Sequence, residues 1–97
     1  GIVSVKLPNS VTEVSDSAFE DCRMLTELKL SSNIAKIGRR AFSRCYKLSA
    51  LYIPESLAKI DECAFSGCSA MRVSISPKNK VFSILYVVKY LKCFIKL

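Results

Sequence analysis

Histidine is absent from these 97 residues, and glycine occurs only three times, at positions 1, 38 and 67. Without histidine the common Cys-His zinc sites are excluded, and a nucleophilic Cys or Ser would have to find its base in a lysine or a carboxylate. Three scattered glycines make no glycine-rich phosphate loop. Long apolar runs are also missing: the longest uncharged stretch near the C-terminus, residues 81–88, is too short for a bilayer core of about 30 Å. No acid follows Glu62, so the net charge of +7 is uneven. Residues 1–76 carry ten Lys or Arg against eight acids, and the remaining five positive charges are Lys78, Lys80, Lys89, Lys92 and Lys96. The basicity therefore belongs to the tail. It comes with no nucleic-acid-reading motif, and no nucleic-acid partner is expected. Gly1 stands inside an apolar pattern with no initiator Met and no secretion signal, which reads as a fragment or a processed product.

What is present is a repeat. Phe19, Phe42 and Phe65 are 23 apart, as are Cys22, Cys45 and Cys68, and Ala18, Ala41 and Ala64. Val11, Ile34 and Leu57 form another column, followed by Val14, Ile37 and Ile60. Ile2, Leu25 and Leu48, then Val5, Leu28 and Leu51, then Leu7, Leu30 and Ile53, complete eight columns on one period. A period of this length signals a stacked solenoid, in which each coil buries its apolar face on the next. The stretch Leu25-Thr-Glu-Leu28-Lys-Leu30-Ser-Ser-Asn33 satisfies the template L-x-x-L-x-L-x-x-N, whose L-x-L part is a short strand with Leu28 and Leu30 inward and Lys29 outward. Ser10 and Ser56 replace the asparagine in two coils, so bonding inside that turn is expected to be weaker or differently arranged. Pro8 and Pro54 close the strand. Ala-Phe-x-x-Cys fits a single helical turn with Phe and Cys on its inner side.

Charges give an independent check on register. Adjacent coils are about 4.8 Å apart, so stacked like charges repel. Glu13 meets Lys36, Asp16 meets Arg39 and then Glu62, and Asp21 meets Arg44; Lys36 over Lys59 is the exception. Between Cys68 and Pro77 the apolar residues Met71, Val73 and Ile75 are one residue short of Leu48, Leu51 and Ile53. An irregular last coil is expected there.

The run from Ile53 to Met71, with Pro54, Ser56, Leu57, Ile60, Ala64, Phe65, Gly67 and Cys68 in place, resembles the BspA-like leucine-rich repeat, a family of surface proteins of bacteria and some protists. The resemblance implies an α/β-repeat, a right-handed leucine-rich-repeat solenoid with a parallel β-sheet, short strands and single helical turns. It covers residues 1–77 as a leading strand and three repeats, leaving 78–97 as a basic, apolar cap or a truncated next repeat. It further implies a non-catalytic role in protein recognition or adhesion at a cell surface, and brings no catalytic residues and no cofactor.

The column of Cys22, Cys45 and Cys68 lies within disulfide range if coils stack, but buried free thiols are the simpler reading. Cys63 and Cys93, outside the column, are the candidates for exposed thiols. Cys63 and Cys68 are the nearest pair in sequence and too far apart for a four-thiolate site, so no metal is expected. Asp61 and Glu62 read as surface carboxylates. Outward strand positions line up into one concave face. Of these, Lys6, Glu27, Lys29, Tyr52 and Arg72 are the candidate ligand-binding residues, with the row Lys6, Lys29 and Tyr52 favoured because an aromatic beside cations is a frequent protein-contact composition. The alternative is a plain solvated face. The implied partner is a protein, of host or extracellular-matrix type. Read as a helix, residues 81–97 place Lys89, Lys92 and Lys96 on one face, which would make a peripheral membrane contact. Oligomeric state stays open, since exposed solenoid ends can stack on each other.

Overall fold

In the computed structural model, residues 3–82 are described. Among the described residues the strands are β1 (Val3–Lys6), β2 (Glu13–Val14), β3 (Leu25–Lys29), β4 (Lys36–Ile37), β5 (Ala50–Ile53), β6 (Lys59–Ile60) and β7 (Arg72–Ile75). Long and short strands alternate, and every pairing is parallel. The chain is a parallel-sheet solenoid of about three turns. The short strands form one sheet in the order β2-β4-β6, with Glu13, Lys36 and Lys59 in one column and Val14, Ile37 and Ile60 in the next. The long strands form two pairs, β1-β3 and β5-β7. Between the pairs, the N–H of Ser49 and its hydroxyl both donate to the Thr26 carbonyl, at 3.2 and 3.1 Å.

The apolar columns meet inside the coils. Leu25, Leu48, Leu51, Ile53, Ile34, Leu57, Ile37 and Ile60 are buried, as are Ala41, Ala64, Cys45 and Cys68. Phe19, Phe42 and Phe65 stack ring over ring, with centroids 5.2 and 5.4 Å apart and planes within 1° and 5°. That spacing follows from the coil repeat. Phe42, in the middle, is fully buried.

The expected helical turn at Ala-Phe-x-x-Cys does not form. The N–H groups of Ala18, Glu20 and Cys22 turn back to the carbonyls of Ser15, Ser17 and Phe19, while those of Ser17, Phe19 and Asp21 donate to Arg39, Ala41 and Ser43 in the next coil. The second coil repeats this, with Arg40, Phe42 and Arg44 donating to Glu62, Ala64 and Ser66. Alternate donors thus point along the stack, and an α-helix would need all of them within the segment. Left-handed residues make the alternation, at Ser17, Arg40 and Cys63 in one column and at Asp21, Arg44 and Gly67 in another. Each non-glycine of the six costs up to about 1 kcal/mol or somewhat more in strain, which the coil-to-coil bonds offset. Phe42, Phe65, Cys45 and Cys68 nevertheless face inward, as the spacing requires, whereas Cys22 of the first coil is exposed.

The asparagine column behaves as two different devices. Asn33 is exposed and donates from Nδ2 to the Asn9 carbonyl at 2.9 Å. Asn79, 23 beyond Ser56, is buried; its Nδ2 donates to the carbonyls of Pro54 and Leu57, and its Oδ1 accepts the N–H groups of Val81 and Phe82. Ser56, between them in the column, donates from Oγ to the Ile34 carbonyl, and Ser31, two residues before Asn33, makes the equivalent bond to the Val11 carbonyl.

The missing residue of the last coil falls ahead of β7. One residue separates Met71 from Val73 where two separate Leu48 from Leu51, so the strand enters in register with Leu51 opposite Val73 and Ile53 opposite Ile75. One additional residue between Ile75 and Asn79 restores the period. The strand is therefore not flipped.

Among the charge columns, Glu13 and Lys36 pair at 3.6 Å. Asp16 accepts the Arg39 amide N–H at 2.9 Å in place of its guanidinium. That approach needs Gly38, where a Cβ would fall 2.5 Å from Asp16 Oδ1 and 2.7 Å from its backbone nitrogen. Asp61, read as plain surface, is half-buried and bridges Lys36 and Lys59 at 3.5 and 3.6 Å, which relieves the stack of Lys36 over Lys59.

Phe42→Ala is expected to lower unfolding free energy by about 3–5 kcal/mol, and Phe19→Ala, on a half-buried ring, by roughly half as much; urea denaturation followed by circular dichroism measures both, and equal losses would contradict the ladder's burial order. Gly38→Ala should cost about 1–3 kcal/mol in the same assay, because the backbone it would meet has to move.

Candidate functional site

Strand alternation sends every second long-strand side chain to the outer face. Lys6 on β1, Glu27 and Lys29 on β3, Tyr52 on β5 and Arg72 on β7 are all exposed. Lys6 is the register partner of Lys29, and Ser4 of Glu27. Lys6, Lys29 and Tyr52 line one groove of about 540 Å³, together with Leu7, Leu28, Leu30, Asn9, Ser31, Ser32 and Pro54. Its floor is apolar and its rim polar. Asn9 and Ser32 fix part of the rim, since Asn9 Oδ1 accepts the Ser32 hydroxyl at 3.1 Å.

A second depression of about 470 Å³ lies beside it, lined by Ser4, Val5, Lys6, Thr26, Glu27, Leu28, Lys29, Ser49 and Ala50. Glu27 belongs to this one, and its carboxylate accepts the Ser4 hydroxyl at 3.0 Å. Arg72 lines neither; the residue missing ahead of β7 sets it opposite Ala50, while Ser74 takes the place opposite Tyr52. So the structure brings three of the five candidates together, puts Glu27 at their border and leaves Arg72 apart. Asn9 and Ser32 were not singled out from the sequence. Their signal was available in the spacing of 23 that stacks one over the other, two residues beyond the strand's last inward position.

Elsewhere the chemistry is structural. No three of the Cys, Asp and Glu residues among those described come together to hold a metal, and no helix of the described residues is long and apolar enough to cross a membrane. The lysine-faced tail, with Lys89, Lys92 and Lys96, and Cys93 lie outside the described residues. Cys22, Cys45, Cys63 and Cys68 are free thiols. Cys45 and Cys68 donate from Sγ to the carbonyls of Phe19 and Phe42 in the preceding coil, each at 3.2 Å. Burial pushes the Cys45 thiol up to about 11 and the Cys68 thiol up to about 12, so both keep the proton they donate. Cys63 is half-buried and Cys22 is exposed. On the turn side, Arg23 sits over the Tyr46 ring at 5.3 Å and bonds Asp21 at 2.8 Å, holding that carboxyl below its usual range.

Known proteins share this geometry. A family model described as a BspA type leucine-rich repeat region (6 copies) matches residues 1–88. Among solved structures, the chain is similar to a leucine-rich repeat protein from Bacteroides capillosus, with 33% identity, 75% of this chain and 53% of that chain covered, and a TM-score of 0.68. It is also similar to a leucine-rich repeat protein from Bacteroides ovatus, with 30% identity, 73% and 18% covered, and a TM-score of 0.65. It thus spans about half of the first protein's length and under a fifth of the second's. No curated protein matches the chain.

The thiol ladder fixes an alkaline limit. Cys45 and Cys68 bind their protons more tightly folded than unfolded, so this contribution is complete below the ordinary thiol value of 9.0 and is lost as pH rises through about 11 and 12. Lys36, whose ammonium Asp61 and then Glu13 favour, shifts stability in the same direction. The urea midpoint should therefore fall on going above pH 9, and less so in a Cys45→Ala, Cys68→Ala variant. Maleimide labelling of the folded protein should reach Cys22 well before Cys45 or Cys68; equal labelling would show the ladder to be open.

Proposed function

This chain belongs to the BspA-type leucine-rich-repeat family, and from that membership we propose that it is a non-catalytic protein-recognition module, carried on a cell surface and used in adhesion. The observation that supports this reading is the groove in which Lys6, Lys29 and Tyr52 stand in one column over an apolar floor. An exposed aromatic beside a pair of cations, above leucines that a partner can cover, has the composition of an interface centre with a polar rim. A rigid stack of strands holds these side chains in place before binding, which limits the entropy lost on association. The intended partner is a protein of host or extracellular-matrix type. Nucleic acid is not expected, because the excess of basic over acidic residues in 1–76 is only two and no nucleic-acid-reading motif accompanies it.

A Lys29→Glu, Tyr52→Ala variant should lose at least about 2 kcal/mol of binding to immobilised extracellular-matrix proteins if both are central contacts. Surface plasmon resonance against a panel of such proteins measures this. Binding that is absent from the wild-type chain, or indifferent to both substitutions, would sink the assignment.

A further inference from the structure

Lysine stands over lysine in adjacent strands at two places. On the short-strand sheet Lys36 is the register partner of Lys59. There Asp61 lies between them, 3.5 Å from one ammonium and 3.6 Å from the other, and Glu13 reaches Lys36 at 3.6 Å. On the long-strand face Lys6 is the register partner of Lys29, and no carboxylate among the described residues pairs with either. The acid on the same strand, Glu27, accepts from Ser4. No acidic side chain follows Glu62 in the sequence, so the C-terminal segment has none to offer. Like charges facing each other across neighbouring strands destabilise the pair. One stack is thus neutralised from within the fold, and the other is left to be neutralised from outside.

Tyr52 continues the same column, 54% exposed. Leu7, Leu28 and Leu30 line the groove beneath the three. A simple inorganic anion would use the ammonium groups and leave the floor and the ring uncovered. A peptide carrying carboxylates beside apolar side chains uses all of them. We propose that this groove binds an acidic, partly apolar peptide segment of a protein partner, its carboxylates on Lys6 and Lys29 and an apolar side chain against Tyr52. This rests on the protein-recognition reading of the same face. It adds the sign of the charge the partner brings, and the physical reason that favours it.

The test is fluorescence polarisation of the full chain with a labelled peptide in which glutamate alternates with leucine, and with matched peptides carrying glutamine or lysine in place of glutamate. The wild type should bind the glutamate peptide at least tenfold more tightly than the glutamine peptide, with the difference shrinking as salt rises. Lys6→Glu with Lys29→Glu should reverse the preference toward the lysine peptide. Lys6→Gln with Lys29→Gln, which keeps the side-chain length, should bring the glutamate peptide down to the level of the glutamine one. A charge-matched control, Lys47→Glu with Lys78→Glu at two exposed sites outside the groove, should keep the wild-type preference. Equal affinity of the wild type for the glutamate and glutamine peptides overturns the proposal, and so does an equal loss in the control. If the glutamate preference survives the lysine reversal while Tyr52→Ala abolishes binding of every peptide, the placing of the carboxylates on Lys6 and Lys29 is overturned and the face remains a protein-binding one. If neither set of substitutions changes any binding, both readings fail.

Discussion

A coil of this protein has nowhere to satisfy half of its turn-side donors except on the next coil. Ser17, Phe19 and Asp21 donate to Arg39, Ala41 and Ser43, and Arg40, Phe42 and Arg44 donate to Glu62, Ala64 and Ser66. Buried backbone groups left unpaired would cost as much as the bonds gain, so the coils form as a stack or not at all. The period of 23 follows from this. Each residue must present its donor or its side chain at the same height as its equivalent one turn away, and the ring spacing of 5.2 to 5.4 Å along the phenylalanine ladder records that height directly. The thiol ladder is the same constraint met by a side chain, since Cys45 and Cys68 complete bonding to carbonyls of the coil before.

Stacking of identical positions explains why so much of the fold could be read from the sequence. A column has to tolerate itself at close range, so its residues stay alike, and eight apolar columns gave the period, the strand face and the inward residues. The Glu13 to Lys36 pairing was legible for the same reason. What could not be read was any feature in which a residue acts outside its own column. Asp61 serves two lysines although its own column holds Ser15 and Gly38. Asp16 does meet Arg39 of its own column, yet which donor it takes, the amide in place of the guanidinium, was not legible either. The helical turn was the plain error: spacing of i and i+3 is equally compatible with consecutive tight turns, and left-handed conformations at Ser17, Arg40, Arg44 and Cys63 are not announced by residue types that favour them.

The candidate site divides along the same line. Lys6, Lys29 and Tyr52 share a column, so their proximity was visible before any geometry. Arg72 was placed with them on the assumption that outward positions are equivalent along the whole face, and the residue missing ahead of β7 moves it to the column of Ser4 and Glu27 instead. The rim residues Asn9 and Ser32 escaped notice because they follow the strand, where repeat templates emphasise turn formation over recognition. A sequence column therefore locates a binding row well and its edges poorly.

The bonds between coils also decide how the molecule would yield to force. A load applied between the first and last coils is carried by every interface in series, and because each coil touches only its neighbours the interfaces can yield one at a time. Detaching a terminal coil removes its donors from the adjacent carbonyls and frees its whole length of chain. At about 3.4 Å per extended residue, a coil of 23 residues releases roughly 75 to 80 Å of tether, against the thickness of about 5 Å it occupied in the stack. Successive coils would yield in separate steps, so a chain built this way lengthens under tension as an extensible tether and keeps the remaining coils, with whatever they hold, intact.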